Sequence, residues 1–134
     1  MLNELKRGII TKQSTFSCAS GTNIELTMEQ SGTTIFLDGS GTDAITFKLP
    51  KVADNAGANF RFIMTNDPHS DFSLTFNQNE DSGTNLIKLN TPGASATYNL
   101  SGSSALVISE YFEAICDGNN WYILLQHKTT GSEF

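Results

Sequence analysis

Apolar and polar side chains alternate along short stretches of this chain, and almost nowhere do apolar residues recur at helical spacing. Ile24-Glu25-Leu26-Thr27-Met28 alternates, as do Ile45-Thr46-Phe47-Lys48-Leu49, Phe60-Arg61-Phe62 continuing to Met64, and Phe72-Ser73-Leu74-Thr75-Phe76. A period of two sends successive side chains to opposite faces of a strand, so each stretch buries one row and wets the other. The pattern predicts strands over 9–11, 14–18, 24–28, 33–37, 45–49, 59–65, 72–76, 86–89, 96–100, 105–109, 111–116 and 121–126. Between them stand turn residues: Ser31-Gly32, Asp38-Gly39-Ser40-Gly41, Asp54-Asn55-Ala56-Gly57, Asn66-Asp67-Pro68-His69 and Thr91-Pro92-Gly93. Gly supplies positive φ, Pro fixes φ, and Asn or Asp bonds back to its own backbone. The clearest reversal is Asp117-Gly118-Asn119-Asn120, which predicts a tight antiparallel hairpin.

Short strands at close intervals predict an all-β chain, an antiparallel β-sandwich or jelly-roll-like barrel in a single domain. Its body is expected over 9–128, between a flexible N-terminal arm over 1–8 and a disordered tail or cloning scar over 129–134. The expected core contains Ile35, Leu37, Phe47, Leu49, Phe60, Phe62, Leu74, Phe76, Ile108 and Phe112. At 134 residues the chain buries roughly two thirds of the surface it exposes when unfolded. Nine Phe suit that core, because Phe fills space without bringing a polar atom that needs a partner.

The net charge of −6 argues against nucleic acid as partner, since phosphates need Lys and Arg to neutralise them. It argues equally against attachment to anionic lipid. No apolar run approaches the ~20 residues that span a bilayer, and the first seven residues lack the apolar centre of a secretory signal. Cys18 and Cys116 each lie in a strand-like run and read as buried thiols, with a disulfide open if their strands are neighbours.

The sequence offers no catalytic residue, no metal site and no cofactor motif. No Gly-rich phosphate cradle or nucleophile elbow is present. His69 and His127 read as solvated loop residues, and they do not share zinc-ligand spacing with the cysteines. Asn77-Gln78-Asn79-Glu80-Asp81-Ser82-Gly83 begins like a calcium loop, but its Gly is one residue late and the twelfth position is Lys88 where a bidentate Glu is required; it reads as a solvated acidic loop, with a weak non-helical calcium site as the alternative. Trp121 and Tyr122, adjacent on one strand, face opposite ways: either Trp121 with Ile123 or Tyr122 with Leu124 is inward. The outward ring suits a packing or subunit interface better than a stacked sugar.

Four stretches together resemble a known group of proteins. Ser31-Gly32-Thr33-Thr34-Ile35-Phe36-Leu37-Asp38 leads to Ile45-Thr46-Phe47-Lys48-Leu49-Pro50, then Ala56-Gly57-Ala58-Asn59-Phe60-Arg61-Phe62-Ile63, and finally Ala114-Ile115-Cys116-Asp117-Gly118-Asn119-Asn120-Trp121-Tyr122. This order resembles small β-rich structural proteins of tailed-phage virions, over about residues 31–125. The resemblance implies a non-enzymatic virion structural protein. The leading form is a capsid decoration (cement) protein, a homotrimer on the outer capsid surface that binds the major capsid protein and stabilises the head. The alternative is a fibre or tail-tip module that binds a host surface glycan, which calls for a coiled or repetitive shaft or a strongly aromatic exposed patch, and the sequence shows neither.

Two surfaces follow as expectations. Met1, Leu2, Leu5, Lys6 and Arg7 put two leucines and a basic pair at the end of an acidic chain, and such an arm suits docking on the major capsid protein. Ile63, Val107 and Leu124 lie opposite or beside the expected core rows and are candidates for the subunit interface.

Overall fold

The computed structural model describes residues 15–53, 55–79, 86–88, 94–95, 97–101 and 111–126. From Thr15 to Asn77 the described strands form a flattened coil. β1 (Thr15–Ala19) and β2 (Asn23–Glu25) make the first turn, β3 (Thr34–Asp38) and β4 (Ile45–Lys48) the second, β5 (Asn59–Met64) and β6 (Ser73–Asn77) the third. Odd strands stack in one sheet and even strands in another, every neighbour parallel. The corners stack too. Ser20 Oγ donates to the Asp43 carbonyl at 2.7 Å, and the His69 N–H donates to the Gly39 carbonyl at 2.8 Å. Gly39 is required there, because a Cβ would stand 2.8 Å from the Pro68 side chain and 3.1 Å from the Phe72 ring.

The rest of the chain closes this coil with antiparallel strands. β7 (Ile87–Lys88) and β8 (Ala94–Ser95) pair with each other, β9 (Thr97–Ser101) lies antiparallel on β6, and β10 (Tyr111–Cys116) lies antiparallel on β5. β10 turns through the expected Asp117-Gly118 hairpin into β11 (Trp121–Gln126), which also takes β7 as a parallel neighbour. The large sheet therefore runs β1-β3-β5-β10-β11-β7-β8 and the small sheet β2-β4-β6-β9.

Both sheets are mixed, which corrects the expectation of antiparallel pairing throughout. Parallel neighbours need a crossover, and in each turn of the coil the strand in the opposite sheet provides it. The turns are unequal, with Thr15 against Thr34 and Thr34 against Arg61, so no repeat shows in the sequence. A second correction concerns 24–28. The strand stops at Glu25, and a 3₁₀ turn over Met28–Gln30 follows, with the Thr27 N–H donating to Gln30 Oε1 at 3.0 Å. That reach-back is a capping contact, and it leaves Met28 exposed.

One apolar core lies between the two sheets. Ile35, Leu37, Phe47, Leu49, Phe60, Phe62, Leu74, Phe76 and Phe112 are all buried, as expected from alternation, and Trp121 and Ile123 join them. Phe62 of the large sheet meets Phe76 of the small sheet edge-on at 5.0 Å. Trp121 Nε1 donates to the Pro50 carbonyl at 2.8 Å, so its one polar atom is satisfied inside the core. Cys18 and Cys116 are buried free thiols, their strands separated by β3 and β5. Burial pushes the Cys18 thiol up to about 11. Ile108 and the strands expected at 9–11 and 105–109 lie outside the described residues, as do the 1–8 arm and the 129–134 tail.

Candidate interaction surface

Alternation that points Phe60, Phe62 and Met64 inward turns Asn59, Arg61 and Ile63 to the outer face of the large sheet. The same parity brings out Phe36 on β3, Tyr111, Glu113 and Ile115 on β10, and Tyr122 and Leu124 on β11. Register assembles them into rows. Phe36 stands against Ile63, and Ile63 against Tyr111. In the next row Arg61 stands against Glu113, and Glu113 against Leu124. On antiparallel strands directly opposed side chains are about 4.5–5.5 Å apart at Cβ, which sets Ile63 beside Tyr111 and Glu113 between Arg61 and Leu124.

The result is an apolar and aromatic strip with one pair of opposite charges at its centre. Phe36, Ile63, Tyr111, Ile115 and Tyr122 are half-buried, while Leu124 is 51% exposed. Tyr111 donates its hydroxyl to Glu113 Oε2 at 3.2 Å. Burial, then the Glu113 charge, pushes the Tyr111 hydroxyl pKa upward. At the far end the Lys88 ammonium lies 6.0 Å from the centre of the Tyr122 ring, within cation–π range. Tyr122 donates to Asp117 Oδ2 at 2.9 Å. The face is therefore neutral locally on a chain of net charge −6.

The structure brings two of the three expected interface residues, Ile63 and Leu124, onto this one face. Val107 lies outside the described residues, and so do Met1, Leu2, Leu5, Lys6 and Arg7. Trp121 is the inward ring and Tyr122 the outward one, which resolves the alternatives. Sequence reasoning did not single out Phe36, Arg61, Tyr111, Glu113 or Ile115. A signal existed: Ile35-Phe36-Leu37 and Phe60-Arg61-Phe62-Ile63 carry large side chains on both parities, as strands covered on both faces do.

Elsewhere the fold offers less chemistry. His69 is exposed in its turn, and its Nδ1 accepts from the Asp71 N–H at 3.1 Å. Of the loop compared with a calcium site, only 77–79 is described, and its side chains are engaged within the fold: Gln78 Oε1 accepts from the Leu86 N–H at 2.8 Å. Thr97 Oγ1 donates to Asn77 Oδ1 at 2.8 Å, and Asn79 Nδ2 donates to Glu25 Oε1 at 2.9 Å. Among the described residues no three His, Cys, Asp or Glu side chains converge as metal ligands, and no helix is long and apolar enough to cross a membrane.

No protein-family model matches the chain, and neither does any curated protein or solved structure.

Proposed function

We propose that this chain is a structural protein of a tailed-phage virion that assembles with copies of itself through the outer face of the large sheet. The observation that carries this is the strip built from Phe36, Ile63, Tyr111, Ile115, Tyr122 and Leu124 around the Arg61–Glu113 pair. An apolar strip of this kind suits burial against protein. The occupant is a second copy, because Arg61 and Glu113 stand opposite each other and offset each other's charge within one chain, so the strip brings no uncompensated charge against an identical strip. Local neutrality removes, at this one surface, the repulsion that the acidic body imposes between copies. The trimeric state, the outer capsid surface and the docking of 1–7 on the major capsid protein come from the resemblance.

Decoration of the head is the first form of this proposal. The fibre or tail-tip form, which also comes from the resemblance, gains support from the parallel coil of β1 to β6, whose turns stack strand on strand. Adding the purified chain to undecorated heads and, separately, to host cells distinguishes them.

Self-association is tested by light scattering at micromolar concentration. A mass three times that of the 14.5 kDa chain is expected, and Leu124→Glu or Ile63→Lys should reduce it to the single chain with an unchanged circular dichroism spectrum. A wild-type mass of one chain would count against assembly through this face in solution.

A further inference from the structure

The opposite surface of the molecule, the outer face of the small sheet, differs in every chemical respect. Asn23 stands against Thr46, Thr46 against Thr75, and Thr75 against Asn99; beside them run Glu25, Lys48, Asn77 and Thr97. Across β2, β4 and β6, Asn23, Ile24, Glu25, Thr46, Lys48 and Asn77 line an open groove of about 270 Å³.

We infer that this groove binds a single uncharged sugar ring, a hexose or N-acetylhexosamine, at the end of a glycan. The groove is below the ~300–1,000 Å³ of sites for drug-sized molecules, a volume that one sugar ring can occupy. Chemistry selects it. The lining offers a carboxylate that only accepts, an ammonium that only donates, and amides and a hydroxyl that do both. Adjacent ring hydroxyls each donate and accept, and they match that mixture.

A supporting layer orients these groups. Asn79 Nδ2 holds Glu25 Oε1, which leaves Glu25 Oε2 as acceptor, and Thr97 Oγ1 holds Asn77 Oδ1, which leaves Asn77 Nδ2 as donor. The side chains of Asn23, Thr46 and Lys48 make no hydrogen bond to another described residue, so their capacity is available. Glu25 stands opposite Lys48 in the ladder, and no ion pair within 4.0 Å joins them. Charge excludes phosphate and acidic sugars: Glu25 lines the groove, Lys48 is the only cation among its described lining residues, and the chain carries −6.

This inference deepens the fibre reading, and its site lies on the sheet face opposite the assembly strip. Its test is therefore separate, since light scattering reads the strip and ligand titration reads the groove. The full isotope-labelled chain is titrated with methyl glycosides of glucose, galactose and N-acetylglucosamine, and with inorganic phosphate, while backbone amide shifts are followed. At least one glycoside should give saturable shifts at Asn23, Glu25, Thr46, Lys48 and Asn77 in the millimolar range, and phosphate none. Lys48→Ala and Glu25→Gln should each weaken binding about tenfold, with Trp121 emission unchanged as the control for folding. Thr97→Val, a positioning change, should weaken it less, and Glu29→Gln on the 3₁₀ turn should leave it intact. The inference is overturned if no glycoside shifts these amides, if phosphate shifts them equally, or if both groove variants bind as the parent does.

Discussion

The ring of Phe47 in β4 stands 4.9 Å from the ring of Phe62 in β5, tilted by 56°, and this contact ties the small sheet to the large one. Phe76 completes the cluster at 6.0 Å from Phe47 and 5.0 Å from Phe62. Replacing Phe62 by Ala empties the middle of that cluster and should cost about 3–5 kcal/mol. Urea denaturation of Phe47→Ala, Phe62→Ala and the double variant should give a coupling of about 0.5–1.5 kcal/mol, the range for an aromatic pair in contact. Strict additivity would mean that the two rings do not support each other.

Trp121 is the only tryptophan, so its fluorescence reports the core without ambiguity. Emission from the folded chain should be blue-shifted and should move to longer wavelength as the protein unfolds. Trp121→Phe keeps most of the apolar volume and removes the donor to the Pro50 carbonyl. The buried acceptor then loses its partner, and stability should fall by about 1–3 kcal/mol. A smaller loss, measured by the same denaturation, would place water at that carbonyl in the folded chain.

Asp117 organises the β10–β11 hairpin. Its Oδ1 accepts from the N–H groups of Asn119 at 2.8 Å and Asn120 at 2.7 Å, while its Oδ2 accepts from Tyr122. These bonds, the Asn119 one foremost, hold its carboxyl below the usual carboxylate range. A depressed folded pKa stabilises the native state above the unfolded value near 3.9, and that contribution disappears as pH falls through the folded value. Asp117→Asn should therefore melt below the parent at neutral pH, and the gap should narrow on acidification below about pH 4. A gap that stays constant with pH would show that the charge is not the source.

Gly118 follows Asp117 with φ of +93°, and a Cβ there would lie 3.1 Å from the Ala56 side chain. Gly118→Ala combines a left-handed backbone cost with that close approach and should lose about 1–2 kcal/mol or more. Gly57, also at positive φ, has nothing within 4 Å of where an added methyl would stand, so Gly57→Ala isolates the backbone part of the cost. Equal losses at both positions would show that the Ala56 contact adds nothing.

Much of this molecule is local and therefore legible in order along the chain. Alternation over 45–49 and 60–64 determines that Phe47, Phe60 and Phe62 face the core, because a strand's parity needs no knowledge of its neighbours. Asp117-Gly118 determines its hairpin for the same reason, since the Asp117 bonds all lie within residues 117–122. Parity does not say which strand comes alongside, or in which direction. The pairing of Thr34 with Thr15 and Arg61, all parallel, depends on corners such as Ser20 against Asp43 stacking across the coil. Trp121 and Tyr122 have opposite parity, and the register with β10 decides between them: Trp121 stands against buried Cys116 and Ile123 against buried Ala114, so Trp121 is the inward ring. The strip shared by Ile63 and Leu124 likewise exists only after β10 inserts between β5 and β11. Burial fixes faces locally, whereas partners, directions and shared surfaces are long-range, and tertiary packing decided them.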